Sequence, residues 1–168
     1  MKKLIGVIIV SSILSGCAAP YQGTQNTQYI KPVKQMVKRP AFPADEYAAL
    51  PKKGTGKIKG ELFGVTRGGD VKIGAGKEIT VRPYTSYQKN TPAFDYNTQT
   101  IEDIDNRVLA YDRKMNTDAQ GKFEFDDLPP GKYKVFGYFS WQAGSFPQFV
   151  SIDKIVDVKN GVVTQVQP

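Results

Sequence analysis

The chain has no histidine and only one cysteine among its 168 residues. Without histidine there is no Ser-His-Asp or Cys-His catalysis, no histidine-containing zinc site and no histidine pH switch. With a lone cysteine there is no intramolecular disulfide, so the fold must stand on its core. No apolar run is long enough to span a bilayer: Leu4–Leu14 is too short for a stable anchor. Acidic residues are also in deficit, and the formal charge is +7.

That excess is unevenly placed. Lys2 and Lys3 open the chain. Residues 18–53 hold Lys31, Lys34, Lys38, Arg39, Lys52 and Lys53 against Asp45 and Glu46, a net of +4. Residues 54–168 are left near neutral, at +1. A nucleic-acid binder is expected to carry its basic patch on the folded surface. The distribution here argues against that class and puts the charge on a tail.

What is present at the start reads as targeting. A basic beginning, the apolar stretch Leu4–Leu14 and then Leu14-Ser15-Gly16-Cys17 resemble a bacterial lipoprotein signal, in which residues 1–16 are removed and Cys17 is acylated. An ordinary secretory leader with an incidental cysteine is the alternative; the joint occurrence of these features favours lipidation. One acyl chain binds a membrane marginally, at about 0.8 kcal/mol per buried methylene. Lipoproteins of this type carry several chains, which implies lasting attachment through Cys17. Ala18 follows, and by resemblance to the sorting rule of two-membrane bacteria a residue other than Asp there permits export to the outer membrane.

Residues 17–53 read as a flexible basic tether. Pro20, Pro32, Pro40, Pro43 and Pro51 interrupt it, and no periodicity survives beyond a possible turn at 45–50. As a coil it would span roughly 35 Å. Its charges would meet anionic lipid or cell-wall carboxylates, or simply keep it solvated.

The folded part is expected over 54–168, with about seven strands and turns every eight to twelve residues or so. Ile58 and Leu62 share a face in a strand over 57–63. Short strands follow at 71–73 and 77–84, the second with Ile79 and Val81 inward. Phe123 and Phe125 oppose Lys122, Glu124 and Asp126 in parity. After the break Asp126-Asp127-Leu128-Pro129-Pro130-Gly131, the residues Tyr133, Val135, Phe139 and Trp141 fall on one face. The prolines cannot donate to a ladder, and Gly131 can take positive φ. The simplest reading is a hairpin, with Leu128 plugging the end of the core. A last hairpin is expected from 149–158 through Asn160-Gly161 to 162–167. Residues 87–112 stand out as an insertion: an irregular loop, then a helix over 100–111 with Thr100 as cap.

The series Thr117-Asp118…Gly121-x-Phe123-x-Phe125…Leu128-Pro129-x-Gly131-x-Tyr133-x-Val135 resembles the carboxypeptidase-regulatory-like domains. The resemblance implies a seven-stranded β-sandwich of the transthyretin (prealbumin-like) type, so the chain is expected to be all-β with a short helical insertion. In that family the domain is usually an accessory to a catalytic domain. None is present in this sequence, and peptidase activity does not carry over.

Candidate chemistry is sparse. Residues 69–78 superficially match a phosphate loop, but the spacing fails and Glu78 stands where Ser or Thr must hold Mg²⁺. Glu102, Asp103, Asp105 and Asp112 could form a carboxylate pair or a Ca²⁺ site; without a recognised loop spacing they read better as a solvated helix face. No cofactor and no small-molecule substrate is implied. The aromatic cluster Phe136, Tyr138, Phe139, Trp141 and Phe146, with Phe149 just beyond, is the candidate partner-binding surface. It occupies both parities of one strand, so part of it faces outward unless the insertion covers it. The expected role is non-enzymatic, binding or structural: a lipid-anchored accessory of an envelope assembly whose partner is another envelope protein, by analogy of fold with secretion-system lipoproteins that carry a similar sandwich on a similar tether. The alternatives are a lipid-anchored hydrolase using carboxylates or a Ser-Lys pair, and a surface receptor or exclusion factor of a mobile element.

Replacing Cys17 by Ser is expected to leave an uncut precursor, read by its mobility and by loss of radiolabelled palmitate. Normal maturation of Cys17→Ser would refute lipidation.

Overall fold

The computed structural model describes residues 33–168. Cys17 and the leader at 1–16 lie outside the described residues. The fold is an all-β sandwich. One sheet has three strands: β2 (Gly56–Glu61) lies between β8 (Lys122–Leu128), antiparallel, and β11 (Val163–Val166), parallel. The other has four, in the order β10 (Phe146–Val158), β9 (Gly131–Ala143), β5 (Glu78–Pro83), β7 (Arg113–Asn116), all antiparallel. Ile58, Ile79, Val81, Phe123, Phe125, Leu128, Val135, Phe139 and Ile152 fill the space between them. Period-two alternation produces this directly, because each strand presents one apolar face. On the outside of the three-stranded sheet the opposite parity carries ion pairs. Lys57 lies 2.5 Å from Asp126 and Lys59 lies 2.8 Å from Glu124. Exposed as they are, these pairs add solubility more than stability.

The two sandwich sheets together have the expected seven strands, but the membership differs, and four further short strands among the described residues pair outside them. Strand β4 (Val71–Ile73) pairs only with β3 (Phe63–Val65), as a separate ribbon. Its place in the sandwich is taken by β7, whose sequence Arg-Lys-Met-Asn has one apolar residue and so gives almost no alternation signal.

Neither of the two expected hairpins pairs its strands. The break at 126–131 carries the chain from one sheet to the other: β8 bonds to β2, and β9 to β5 and β10. Asp127 takes φ 52° and Gly131 φ 154° to make the crossing. Leu128 is fully buried beneath it, and the Tyr133 hydroxyl donates to the Pro129 carbonyl at 3.0 Å. Two prolines remove the donors that a close hairpin would use, which suits an arch. Asn160-Gly161 is likewise a true turn, with Gly161 at φ 69°, yet it delivers β11 to the opposite sheet beside β2. The long hairpin is β9–β10, thirteen residue pairs closed by Gly144 (φ 63°) and Ser145.

The expected tether is corrected over its described part. Residues 33–53 are not free coil: β1 (Gln35–Val37) pairs in parallel with β6 (Gln99–Ile101), and α1 (Ala44–Ala48) buries Tyr47. Tyr47 joins Tyr87 and Val108 in a second small core, with Phe42, Leu50 and Ile104 against it. The buried Tyr47 hydroxyl accepts from Thr85 Oγ1 at 3.2 Å and Gln88 Nε2 at 3.1 Å. These anchors are spaced by prolines rather than by any regular period, so no local pattern announces them.

The insertion is corrected as well. Thr100 is in β6, not at a helix cap. The helices are α2 (Ser86–Lys89) and α3 (Asn106–Leu109), the latter capped by Asp105, whose Oδ1 accepts from Arg107 N at 2.9 Å. Hydrogen bonds from Arg107 hold the Asp105 carboxyl down at about 2. Ile104 and Val108 do turn inward at helical spacing, but Ile101 belongs to the strand paired with Val37.

Gly131 sits at a φ that a β-branched residue adopts only under strain, although the space beside it is open. Gly131→Val is therefore expected to cost at least about 1 kcal/mol through the backbone alone. Denaturant unfolding measures this, and an unchanged midpoint would refute the assignment of strain.

Candidate functional site

The alternation of β9 divides the aromatic cluster. In antiparallel register, directly opposed residues share a face. Gly137 opposes the buried Ile152, so Tyr133, Val135, Phe139 and Trp141 face the core. Phe136, Tyr138 and Ser140 face outward, as do Phe149, Ser151 and Asp153 of β10.

Phe139 is thereby removed from the candidate binding surface: it is 5% exposed and belongs to the main core. Trp141 is half-buried, 5.5 Å from Phe139 between ring centroids and close under Gly64 of β3. Phe146 has inward parity but lies beyond the end of the core, opposite Ala143 near the hairpin turn, and is 72% exposed. Phe136 is half-buried against the Arg82 guanidinium, 5.1 Å from its ring centroid.

Two aromatics stand clear on the outer face: Tyr138 at 70% exposure and Phe149 at 74%. Tyr138 opposes Ser151, and Phe149 opposes Ser140. The four make a checkerboard of two rings and two hydroxyls, the rings being diagonal neighbours at about 7–8 Å. The insertion does not reach them. It meets the other end of this face, around Arg82 on β5.

At that end the outer face meets the insertion in a groove of about 400 Å³. Phe136, Lys134 and Asp153 come from the hairpin, Arg82 from β5, Tyr87, Gln88, Thr91 and Ile104 from the insertion, and Arg39 from the segment after β1. Arg82 donates twice to Asp112, from Nε and Nη2, each at 2.6 Å. Their side chains are 13% and 2% exposed, so Asp112 sits beneath Arg82 and fixes its guanidinium plane. Arg39 Nε donates to the Glu102 carbonyl at 2.7 Å. Lys134 pairs with the open Asp153 at 3.0 Å.

The acids of the insertion do not converge on one point. Asp112 is committed to Arg82, Asp105 to the cap of α3 and to Arg107, and the Glu102 carboxylate to the Arg39 backbone amide at 3.0 Å. Among the described residues no group of three or more metal-ligating side chains comes together. A second cavity, of about 520 Å³, lies at the arch, walled by Tyr84, Tyr111, Tyr133, Pro129 and Pro130. Burial raises the Tyr133 hydroxyl above its ordinary range there.

Sequence reasoning missed the groove. Its cations come from three elements, and Arg39 lay in what read as tether. The signal available was Arg82 on the outward parity of β5, a charge on a face that the insertion must approach.

No family model matches the chain, and no curated protein does. Among solved structures, a proposed carbohydrate-binding protein from Pseudomonas aeruginosa is similar. It is 26% identical with a TM-score of 0.64, over 77% of this chain and 99% of the other. The likeness thus takes in nearly the whole of that protein.

Removing the acid beneath Arg82 leaves a mostly buried guanidinium without its partner. Asp112→Ala is expected to destabilise the domain by about 3 kcal/mol or more. Thermal unfolding checks this, and a loss under about 1 kcal/mol would mean that water reaches Arg82 freely.

Proposed function

We propose that this chain is a non-enzymatic, glycan-binding protein of the cell envelope. Acyl chains on Cys17 hold it to the outer membrane, and the outer face of the four-stranded sheet meets the ligand. The observation that carries the reading is the pair Tyr138 and Phe149, more than two-thirds exposed on one face of the sheet and alternating with Ser140 and Ser151. A large side chain left in water forgoes about 1.5–3 kcal/mol of burial. A sugar ring offers what this surface lacks: an apolar face of C–H groups to lie on an aromatic ring, and an edge of hydroxyls for serines and charged neighbours.

Three observations support the reading. The similar Pseudomonas aeruginosa protein is a proposed carbohydrate binder. Of the acids a hydrolase would need, Glu102, Asp105 and Asp112 are each bound to a separate partner. The series from Thr117 to Val135 resembles accessory domains, not catalytic ones. Attachment through Cys17 rests on the lipoprotein signal at residues 1–17, and among the described residues no helix is long and apolar enough to cross a membrane.

One feature favours a protein partner instead. Phe146 and Phe149 stand exposed near the tip of the β9–β10 hairpin, where an envelope assembly could dock.

Binding of the full chain to purified cell-wall sacculi and to a panel of neutral and acidic polysaccharides tests the proposal. Tyr138→Ala and Phe149→Ala are each expected to weaken binding about three- to ten-fold, or roughly 0.7–1.4 kcal/mol, without shifting the melting temperature. If no glycan is retained, the proposal fails. If retention is indifferent to both substitutions while Phe146→Ala abolishes crosslinks to an envelope protein, the docking reading replaces it.

A further inference from the structure

We propose that the groove beside Phe136 reads a carboxylate, so that the ligand of this face is an acidic glycan of the uronic-acid kind. The inference rests on the glycan reading above and names the ligand class.

The outward residues of β9 lead from the platform to the groove. Ser140 and Phe149 share one cross-strand position, Tyr138 and Ser151 the next, Phe136 and Asp153 the next, and Lys134 with Arg82 the last. Successive positions on one face lie about 6.8 Å apart, so the track runs about 20 Å. It begins on open rings and ends among cations.

The groove is built for an anion. Arg39, Arg82 and Lys134 line it, and Asp153 is the one carboxylate in its wall. Asp112 answers the charge of Arg82 from beneath but is too buried to meet a ligand. Arg82 uses Nε and Nη2 on Asp112, and Arg39 uses Nε on a backbone carbonyl. Arg82 Nη1 and both terminal nitrogens of Arg39 have no partner among the described residues. Arginine donors in a fixed plane suit a planar carboxylate. Lys134 is held only by Asp153, in a half-exposed pair of the kind that is worth little in water. An incoming carboxylate can therefore take that ammonium at small cost. Phe136 and Ile104 supply apolar wall for the ring that bears the acid.

Isothermal titration of the full chain with a short oligogalacturonate, its methyl ester and a neutral oligosaccharide of equal length tests the assignment. The ester keeps the ring and removes only the charge. The acid is expected to bind at least about ten-fold more tightly than the ester, with the difference shrinking as salt rises. Arg39→Gln and Lys134→Gln are each expected to lower affinity for the acid several-fold and to leave the ester unchanged. Both are surface changes, and unaltered melting curves show that the fold is kept. Equal affinity for acid and ester, or indifference of the acid to both substitutions, overturns the carboxylate subsite. If the ester then still binds and still needs Tyr138, the glycan platform stands without it. If the acid, the ester, the neutral oligosaccharide and the sacculi all fail to bind, both readings fall together.

Discussion

Strand β9 holds the molecule together and also limits what the surface can be. It pairs with β5 on one side and β10 on the other, and its inward parity supplies Tyr133, Val135 and Phe139 to the core. A period of two leaves no freedom: once Phe139 is inside, Tyr138 and Ser140 must be outside. A slip of one residue would drown the core residues and bury Lys134. The exposed rings are thus tied to the stability of the sandwich through register, and the site inherits the rigidity of a strand hydrogen-bonded on both edges.

That same rule explains what could be read from the residues and what could not. Parity at 122–126 and 133–141 assigns faces correctly, and the turn glycines Gly131 and Gly161 do take positive φ, while the positive φ of Asp127 carried no such signal. Parity does not say which strand lies next door. Both hairpin expectations failed for that reason: two alternating strands on either side of a turn look the same whether they bond to each other or face each other across a core. The groove was less legible still. Arg39 and Tyr47 find their partners far along the chain, at Glu102 and at Thr85 and Gln88. Nothing local in a proline-broken stretch predicts a contact of that kind, whereas the burial of Tyr87 and Val108 needs one.

The insertion and the residues from 33 to 53 act together. Neither carries enough apolar surface to fold alone; joined, they bury Tyr47, Tyr87 and Val108 and pair β1 with β6. Glu46 accepts from the Ser86 backbone amide at 3.0 Å, and Arg107 stacks on Phe42 at 4.3 Å. The result roofs one end of the outer face and leaves the other end bare. Arg82 lies under the edge of this roof. Burying an ion pair costs desolvation that its own attraction barely repays. A hydrophobic pair would serve stability as well, so the arrangement is better understood as fixing a guanidinium in place at the groove.

Exposed rings such as Tyr138 and Phe149 beside an open strand edge invite self-association unless that edge is guarded. β10 is the outermost strand of its sheet, thirteen residues long, and an open edge of that length invites pairing with another chain. Pro147 denies it a donor near the exposed rings, while Asp153, Lys154 and Asp157 charge its middle and its end. Serines interrupt the rings on the face itself, so no continuous apolar patch forms. An edge guarded in this way resists the addition of a strand. On the proposed reading, what the face still admits is a ligand that brings small apolar faces and many hydroxyls and needs no backbone ladder, which is the chemistry of a sugar chain.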